Sequence, residues 1–123
     1  MKVRREVLGD QHVDAAIART DEFTEPFQEF ITRYAWGGVW DRDGLDRRTR
    51  SAITLAVLCA LGREHEIAMH VRAAVRIGLE PSEIAEVLLH TAVYAGVPAA
   101  NRAFAIADET LRELGQGLSE GER

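Results

Sequence analysis

The sequence contains very little cysteine and proline, and both shortages constrain the fold. Cys59 is the single cysteine among 123 residues, so no disulfide can form within the chain. Its neighbours in the sequence are apolar, which predicts a buried and unreactive thiol. Prolines number only three while alanine is abundant, and this composition favours helices.

The sequence also lacks an excess of positive charge and a long apolar run. Because its net charge is −5, we expect no nucleic-acid partner, although Arg47, Arg48 and Arg50 could bind a small anion. No apolar run approaches the roughly 18 residues that cross a membrane. The first basic residues precede no apolar segment, so we expect no signal peptide and a cytoplasmic protein.

Helical periodicity recurs along the chain, whereas the alternation typical of strands does not. A length of 123 residues is enough for one core. We therefore predict an all-α, compact single domain of about six helices over residues 1–114. Residues 115–123 are polar and rich in glycine, and we expect them to form a flexible tail.

Capping residues and apolar spacing predict the first helices. One starts after Asp10, and its inward residues are Val13, Ala16 and Ile17. The second has Thr24 as its N-cap and ends at the stretch Trp36–Trp40. Its apolar stripe consists of Phe23, Phe27, Phe30, Ile31 and Tyr34.

The third predicted helix begins after the N-cap Asp46, ends before Gly62 and is apolar nearly all round, so we expect it to be central and buried. A fourth helix covers residues 63–77 and stops at Gly78, and a fifth has Pro81 in its first turn and ends near Gly96. The sixth begins at Pro98, and its expected core stripe is Ala100, Phe104, Ala107 and Leu111.

The fourth predicted helix carries Glu66 and His70 four residues apart on one face. A carboxylate that orients an imidazole is the minimum requirement for proton-transfer chemistry. A helical wheel places His70 at the border of the apolar arc and Glu66 just outside it, where pKa values can shift. Two other interpretations stay open, namely a surface pair without chemistry and a metal site completed by His90.

Other candidate residues have alternative interpretations as well. His90 and Tyr94 form a polar strip that could face solvent, a pocket or another subunit. Trp36 and Trp40 flank a Gly-Gly turn, where they could line a cleft or cover the core. Arg50 lies in the first turn of the buried helix and either reaches inward or covers its neighbours.

Several segments between Arg4 and Leu114 form a further pattern: Arg5–Asp10, Phe30–Gly37, Leu45–Ser51, Gly62–Glu64 with Glu66 and His70, and Ala92–Asn101. In these segments the chain resembles the γ-carboxymuconolactone decarboxylase family. The segments around Tyr34 and Arg47 are the more specific ones. The broader superfamily includes alkylhydroperoxidase D, and the resemblance implies the helical fold of that superfamily.

The resemblance also disfavours a thiol peroxidase. Peroxidase-type members of the superfamily carry a Cys-x-x-Cys pair that ends four residues before the histidine. Here those two positions hold Arg63 and Glu66. Without two thiols a disulfide cycle cannot run, and Cys59 lies too far back to replace them.

The resemblance implies decarboxylation of 4-carboxymuconolactone to the β-ketoadipate enol-lactone, a step in the catabolism of protocatechuate. The substrate is a small lactone dicarboxylate that is its own electron sink, so we expect neither a cofactor nor a metal. On this hypothesis His70 donates the proton and Glu66 orients the His70 imidazole. His90 is a second acid–base candidate. The residues expected to bind the substrate are Arg63, Arg50, Arg33, Tyr34, Trp36 and Trp40.

Two alternatives stay open, a paralogue acting on a different lactone or β-oxo acid and a non-catalytic helical module. The resemblance further implies a homo-oligomer, commonly a trimer or hexamer. Leu89 and Val93 lie opposite the core stripe of their helix, which is typical of residues that a partner surface covers.

Overall fold

A computed structural model of the chain describes residues 1–115, and it contains no strand in this range. The predicted all-α class is therefore confirmed. Most of the predicted tail, residues 116–123, lies outside the described part.

The described helices are α1 Lys2–Leu8, α2 Asp10–Arg19, α3 Glu25–Ile31, a π-helix Thr32–Trp40, α4 Arg47–Leu61, α5 Glu64–Ile77, α6 Pro81–Ala95 and α7 Val97–Glu113. Among them, none has both the length and the apolar character needed to cross a bilayer.

Two apolar clusters hold the helices together, and α5 contributes to both. The larger cluster joins α4, α5, α6 and α7, and its fully buried members include Leu55, Ile67 and Leu88. The smaller cluster joins α1, the π-helix and α5 through Val3, Val7, Trp36 and Ala73. The central helix of the described fold is therefore α5.

The helix predicted to be central, α4, begins and ends where expected. The Asp46 carboxylate accepts a hydrogen bond from the Thr49 backbone N–H at 2.7 Å, and Gly62 ends the helix in the left-handed region with φ 69°. Only one face is buried, however, because Ile53, Val57 and Leu61 on other faces remain 48%, 49% and 60% exposed. The prediction of a buried helix is therefore correct for the face with Leu55 and Cys59 and wrong, in the single chain, for these exposed positions.

Helix α1 precedes the first predicted helix, so the prediction of about six helices omitted it. Val3 and Val7 lie one turn apart and pack α1 into the smaller cluster.

Two residues that were predicted to lie in the core do not lie there. Ile17 is exposed because α2 packs mainly on α1 and buries only Val13 and Ala16, and Phe104 is partly exposed because Ala103 takes the inward position.

The stretch predicted to end the second helix instead continues it as a π-helix, which follows α3 directly. The two glycines explain this continuation. A Cβ at Gly38 would lie 3.1 Å from the Arg33 carbonyl oxygen, five residues earlier, and one at Gly37 would lie 3.4 Å from that of Thr32. The missing side chains leave room for the wide turn of a π-helix, a form often found at functional sites.

The cap of α4 supplies a first test of the fold. Replacing Asp46 by Ala removes the acceptor of the Thr49 N–H, so the free energy of unfolding should fall by about 1 kcal/mol. Asp46→Asn should retain most of that stability, since Asn also accepts. Urea denaturation measures both, with Asp43→Ala in the exposed preceding turn as control. Equal losses at positions 43 and 46 would contradict the assigned cap.

Candidate active site

His70 lies on the inward face of α5, between residues of the two apolar clusters. Ile67 and Ala74, one turn before and one turn after it, belong to the larger cluster, whereas Ala73 belongs to the smaller one. The side chain is deeper than the predicted border position, since only 8% of His70 is exposed. Its Nδ1 atom is buried and has no hydrogen-bond partner among the described residues.

Burial lowers the pKa of His70 from 6.5 to about 4, because the imidazolium loses hydration inside the fold. The positive charge of His12 contributes to this lowered pKa, and the charge of Glu66 opposes it. The imidazole is therefore neutral at pH 7 in the free protein. A neutral imidazole can accept a proton or donate one N–H hydrogen bond.

Glu66 lies at the first turn of α5 and is exposed. No hydrogen bond joins its carboxylate to His70 among the described contacts, so its influence on the imidazole is that of a nearby charge. The spacing of four residues correctly placed the two groups on neighbouring turns. It could not show that one of them is buried and the other solvated.

Arg50 and Trp40 meet at a small cavity of about 130 Å³, which is lined by Val39, Trp40, Arg50, Ile53 and Thr54. Among the described residues that line it, Arg50 alone is charged. Its guanidinium donates one long hydrogen bond, 3.4 Å to the Arg42 carbonyl oxygen, and its Nε is buried without a partner among the described residues. The cavity can accept a negatively charged group.

Trp36 packs into the smaller apolar cluster, with only 5% of its surface exposed and its ring 5.3 Å from that of Trp40. Its indole N–H is buried and has no acceptor among residues 1–115. From the sequence, the tryptophans could either line a cleft or cover the core, and the structure contains one example of each. Trp36 covers the core, and Trp40 lines a cavity.

The remaining sequence candidates lie elsewhere in the described chain. Arg63 is exposed at the N-cap of α5, and Arg33 is exposed at a second cavity formed by α1, α2, α3 and the π-helix. Tyr34 is 65% exposed and stacks on Phe30 with ring centroids 5.2 Å apart. His90 is exposed on α6, where its ring lies 5.3 Å from that of Tyr94. None of these four residues is among the described residues that line the cavity with Arg50 and Trp40.

No group of three or more His, Cys, Asp or Glu side chains in residues 1–115 is arranged to hold a metal ion. The combination of Glu66, His70 and His90 considered above is thus not assembled in the described chain. Cys59 is fully buried on α4, and burial raises the pKa of its thiol. It has the character of the predicted unreactive thiol.

Sequence reasoning missed two basic residues, His12, whose charge acts on His70, and Arg4, whose charge acts on His12. His12 is partly buried on α2, where burial and then the charge of Arg4 lower its pKa. Arg4 is buried on α1, with only 6% of its surface exposed. The spacing of Val3 and Val7 was the signal for α1, and recognising that helix would have placed Arg4 beside its buried face.

The buried histidine predicts a pH dependence of stability. A group whose pKa falls from 6.5 to about 4 on folding is more protonated in the unfolded state between those values. The contribution of the neutral imidazole to the free energy of unfolding is complete above pH 6.5 and is lost progressively as the pH falls from 6.5 to 4. Urea denaturation at one protein concentration should therefore show that the free energy of unfolding falls by about 2 kcal/mol because of His70 between about pH 7 and pH 4.5.

This loss should be absent in His70→Gln, so the stability of that variant should depend less on pH. His65→Gln is the control, because His65 is exposed on the same helix. An unchanged pH dependence in His70→Gln would show that the imidazole is not held neutral by burial.

Comparison with known proteins identifies the family to which this chain belongs. Residues 25–109 match the model of the carboxymuconolactone decarboxylase family. A 4-carboxymuconolactone decarboxylase of Acinetobacter baylyi is 49% identical over 115 residues, 94% of this chain and 86% of the relative. A nitrosuccinic acid decarboxylase of Metarhizium robertsii is 40% identical over 93% of this chain and 80% of the relative. The chain belongs to the carboxymuconolactone decarboxylase family.

Proposed function

We propose that this protein removes CO₂ from 4-carboxymuconolactone and releases the β-ketoadipate enol-lactone, as a step in protocatechuate catabolism. The name and identity of the Acinetobacter relative support this reaction. The structural observation that carries it is a neutral, buried His70 with an unpartnered Nδ1. Such a group is available to the proton transfer that decarboxylation requires.

The substrate chemistry explains why we propose no cofactor. When the C–C bond to the carboxylate breaks, its electron pair moves through the ring double bond to the lactone carbonyl, giving a dienolate. One proton then adds to the α-carbon. The dianionic substrate and one proton thus yield CO₂ and a monoanionic product, and the protein has only to bind charge and deliver that proton.

His70 is the proposed proton donor. The free imidazole is neutral at pH 7, so it must first take up a proton when the substrate arrives. Two substrate carboxylates beside it raise its pKa, and the charge of Glu66 acts in the same direction. The imidazolium can then transfer its proton to the dienolate carbon and return to the neutral form.

Arg50 is the proposed partner of one substrate carboxylate. Within residues 1–115 no acidic residue lines the Arg50 cavity, and Trp40 bounds it on one side. The guanidinium can pair with a carboxylate there, and the Trp40 ring supplies apolar contact for the lactone ring. Arg63, Arg33, Tyr34 and Trp36 stay secondary candidates for binding the substrate, and His90 for acid–base chemistry.

We further propose that the protein is a homo-oligomer, a trimer or hexamer, in the cytoplasm, where its one buried thiol needs no oxidising environment. Two exposed apolar faces support assembly. One is the aromatic face of α3, with Phe27 61% and Phe30 49% exposed, and the other is on α6, with Leu89 56% and Val93 74% exposed. Assembly would also place His90 and Tyr94 against a neighbouring subunit.

The relative in Metarhizium robertsii favours a second candidate, decarboxylation of a different acid, because it is named for nitrosuccinic acid. Both acids lose a carboxylate to leave a stabilised carbanion. Incubating the protein with each acid and measuring CO₂ release separates the two candidates. Release from neither acid by a folded protein would favour a non-catalytic helical module.

The role of His70 can be tested by substitution. His70→Ala should lower kcat by about 10²-fold or more if the imidazole supplies the proton. His65→Ala, on the exposed side of the same helix, should retain normal turnover. Normal kcat in a folded His70→Ala protein would refute the assignment.

The pH profile tests the protonation state of His70. Because its pKa is about 4 in the free protein, kcat/KM should fall about tenfold per pH unit between about pH 5 and pH 8. The kcat profile should stay level to a higher pH, since the bound dianion raises that pKa. A level kcat/KM over this range would instead indicate that His70 acts as a neutral hydrogen-bond donor.

Assembly can be tested at Val93, which is 74% exposed on α6. Val93→Glu should place a charge in the apolar contact and shift the protein to smaller species in sedimentation. Ala18→Glu, at an exposed position of α2, is the matched control. A wild-type monomer, or an unchanged oligomer in Val93→Glu, would contradict an interface on this face.

A further inference from the structure

Arg4 is a buried guanidinium that has no carboxylate partner among residues 1–115. It donates hydrogen bonds to Gln28 Oε1 at 3.1 Å and to Thr32 Oγ1 at 3.5 Å, both neutral acceptors. Its Nε is buried without a partner, and only 6% of the residue is exposed. Within residues 1–115 its guanidinium forms no ion pair, in contrast to those of Arg5, Arg47 and Arg48.

Such an arrangement leaves a charge incompletely compensated. Burial lowers the pKa of Arg4, yet a guanidinium stays protonated in proteins. A buried charge is costly unless a counter-charge or a full set of hydrogen bonds accompanies it. Two neutral acceptors satisfy only part of a group that has five N–H donors. A carboxylate would supply both the missing charge and the missing acceptors.

The cavity beside Arg4 has room for such a ligand. Its volume is about 490 Å³, within the usual range for small-molecule sites. Arg33 adds a second positive charge to the lining, and the Thr20 and Thr32 hydroxyls add polar atoms. Met1 and Ile17 supply an apolar wall.

Two acidic residues, Glu25 and Glu29, restrict which anion can bind. Both line the cavity, but neither lies within ion-pair distance of Arg4, for which no ion pair is found in residues 1–115. Their charges oppose a second carboxylate in the same space. One carboxylate at Arg4 with an apolar body against Ile17 fits this distribution better than a dicarboxylate does.

We propose that this cavity binds a small monocarboxylate, whose carboxylate pairs with the Arg4 guanidinium and whose apolar part lies against Met1 and Ile17. Arg33 adds long-range attraction at the cavity surface. The site is separate from the Arg50 cavity, since no residue lines both. It does not depend on the proposed decarboxylation, because binding requires no turnover.

Levulinate is a suitable probe, with its uncharged methyl ester as the matched control ligand. Calorimetric titration of the full chain should show saturable binding of levulinate at millimolar concentrations and at least about tenfold weaker binding of the ester. Arg4→Gln should weaken levulinate binding at least about tenfold, whereas Arg33→Gln should weaken it only about twofold to threefold. Succinate should bind more weakly than levulinate.

A measurement on the wild-type protein guards against a variant that fails to fold. Levulinate should shift the NMR signals of the Gln28 side-chain amide and of Thr32, and leave those of Thr54 in the Arg50 cavity unchanged. Equal binding by wild type and a folded Arg4→Gln protein would overturn the proposal. So would the absence of saturable binding, or signal shifts confined to Thr54.

Discussion

α5 reverses direction from α4 at Gly62, and the position of His70 depends on that reversal. The φ of 69° there is a conformation that glycine adopts without steric cost. The backbone N–H groups of Gly62 and Arg63 donate back to the carbonyls of Cys59 and Leu58, so the turn completes the end of α4 while it starts α5. Glu66 and His70 then follow at fixed distances along the new helix. A shift of the turn by one residue would rotate His70 by about 100° around the helix axis, away from the two apolar clusters.

Signals that act within a few residues allowed most of the fold to be predicted. Asp46, Gly62, Gly78 and Pro81 each determine a helix end through local backbone chemistry, and all four ends were predicted correctly. The π-helix escaped prediction because its two glycines were interpreted as helix breakers. In the fold they permit a wider turn instead, with α1 packed against the π-helix through Trp36.

The candidate site was predictable only residue by residue. Periodicity identified His70 and placed Glu66 beside it, and the position of Arg50 in the first turn of α4 suggested that it reaches inward. Which residues meet is a property of tertiary packing. Trp40 reaches Arg50 because the π-helix brings it there, while Arg33 and Tyr34 on the same π-helix lie on other faces. His90 lies on an exposed face whose surroundings depend on the proposed assembly.

Burial has different consequences for the two buried bases, and the difference separates their roles. His70 responds to the loss of water by giving up its proton, with a pKa of about 4. It can therefore be neutral alone and charged when an anion is near, which is what a proton carrier requires. Arg4 cannot respond in this way, because its guanidinium stays protonated even though burial lowers its pKa. Its charge is permanent, so it suits the binding of an anion and not the transfer of a proton.

A chain that needed only packing at the positions of His70 and Arg4 would be served as well by apolar side chains of similar volume. An ionisable group at one position and a permanent charge at the other therefore support the proposed proton chemistry at His70 and the proposed anion binding at Arg4.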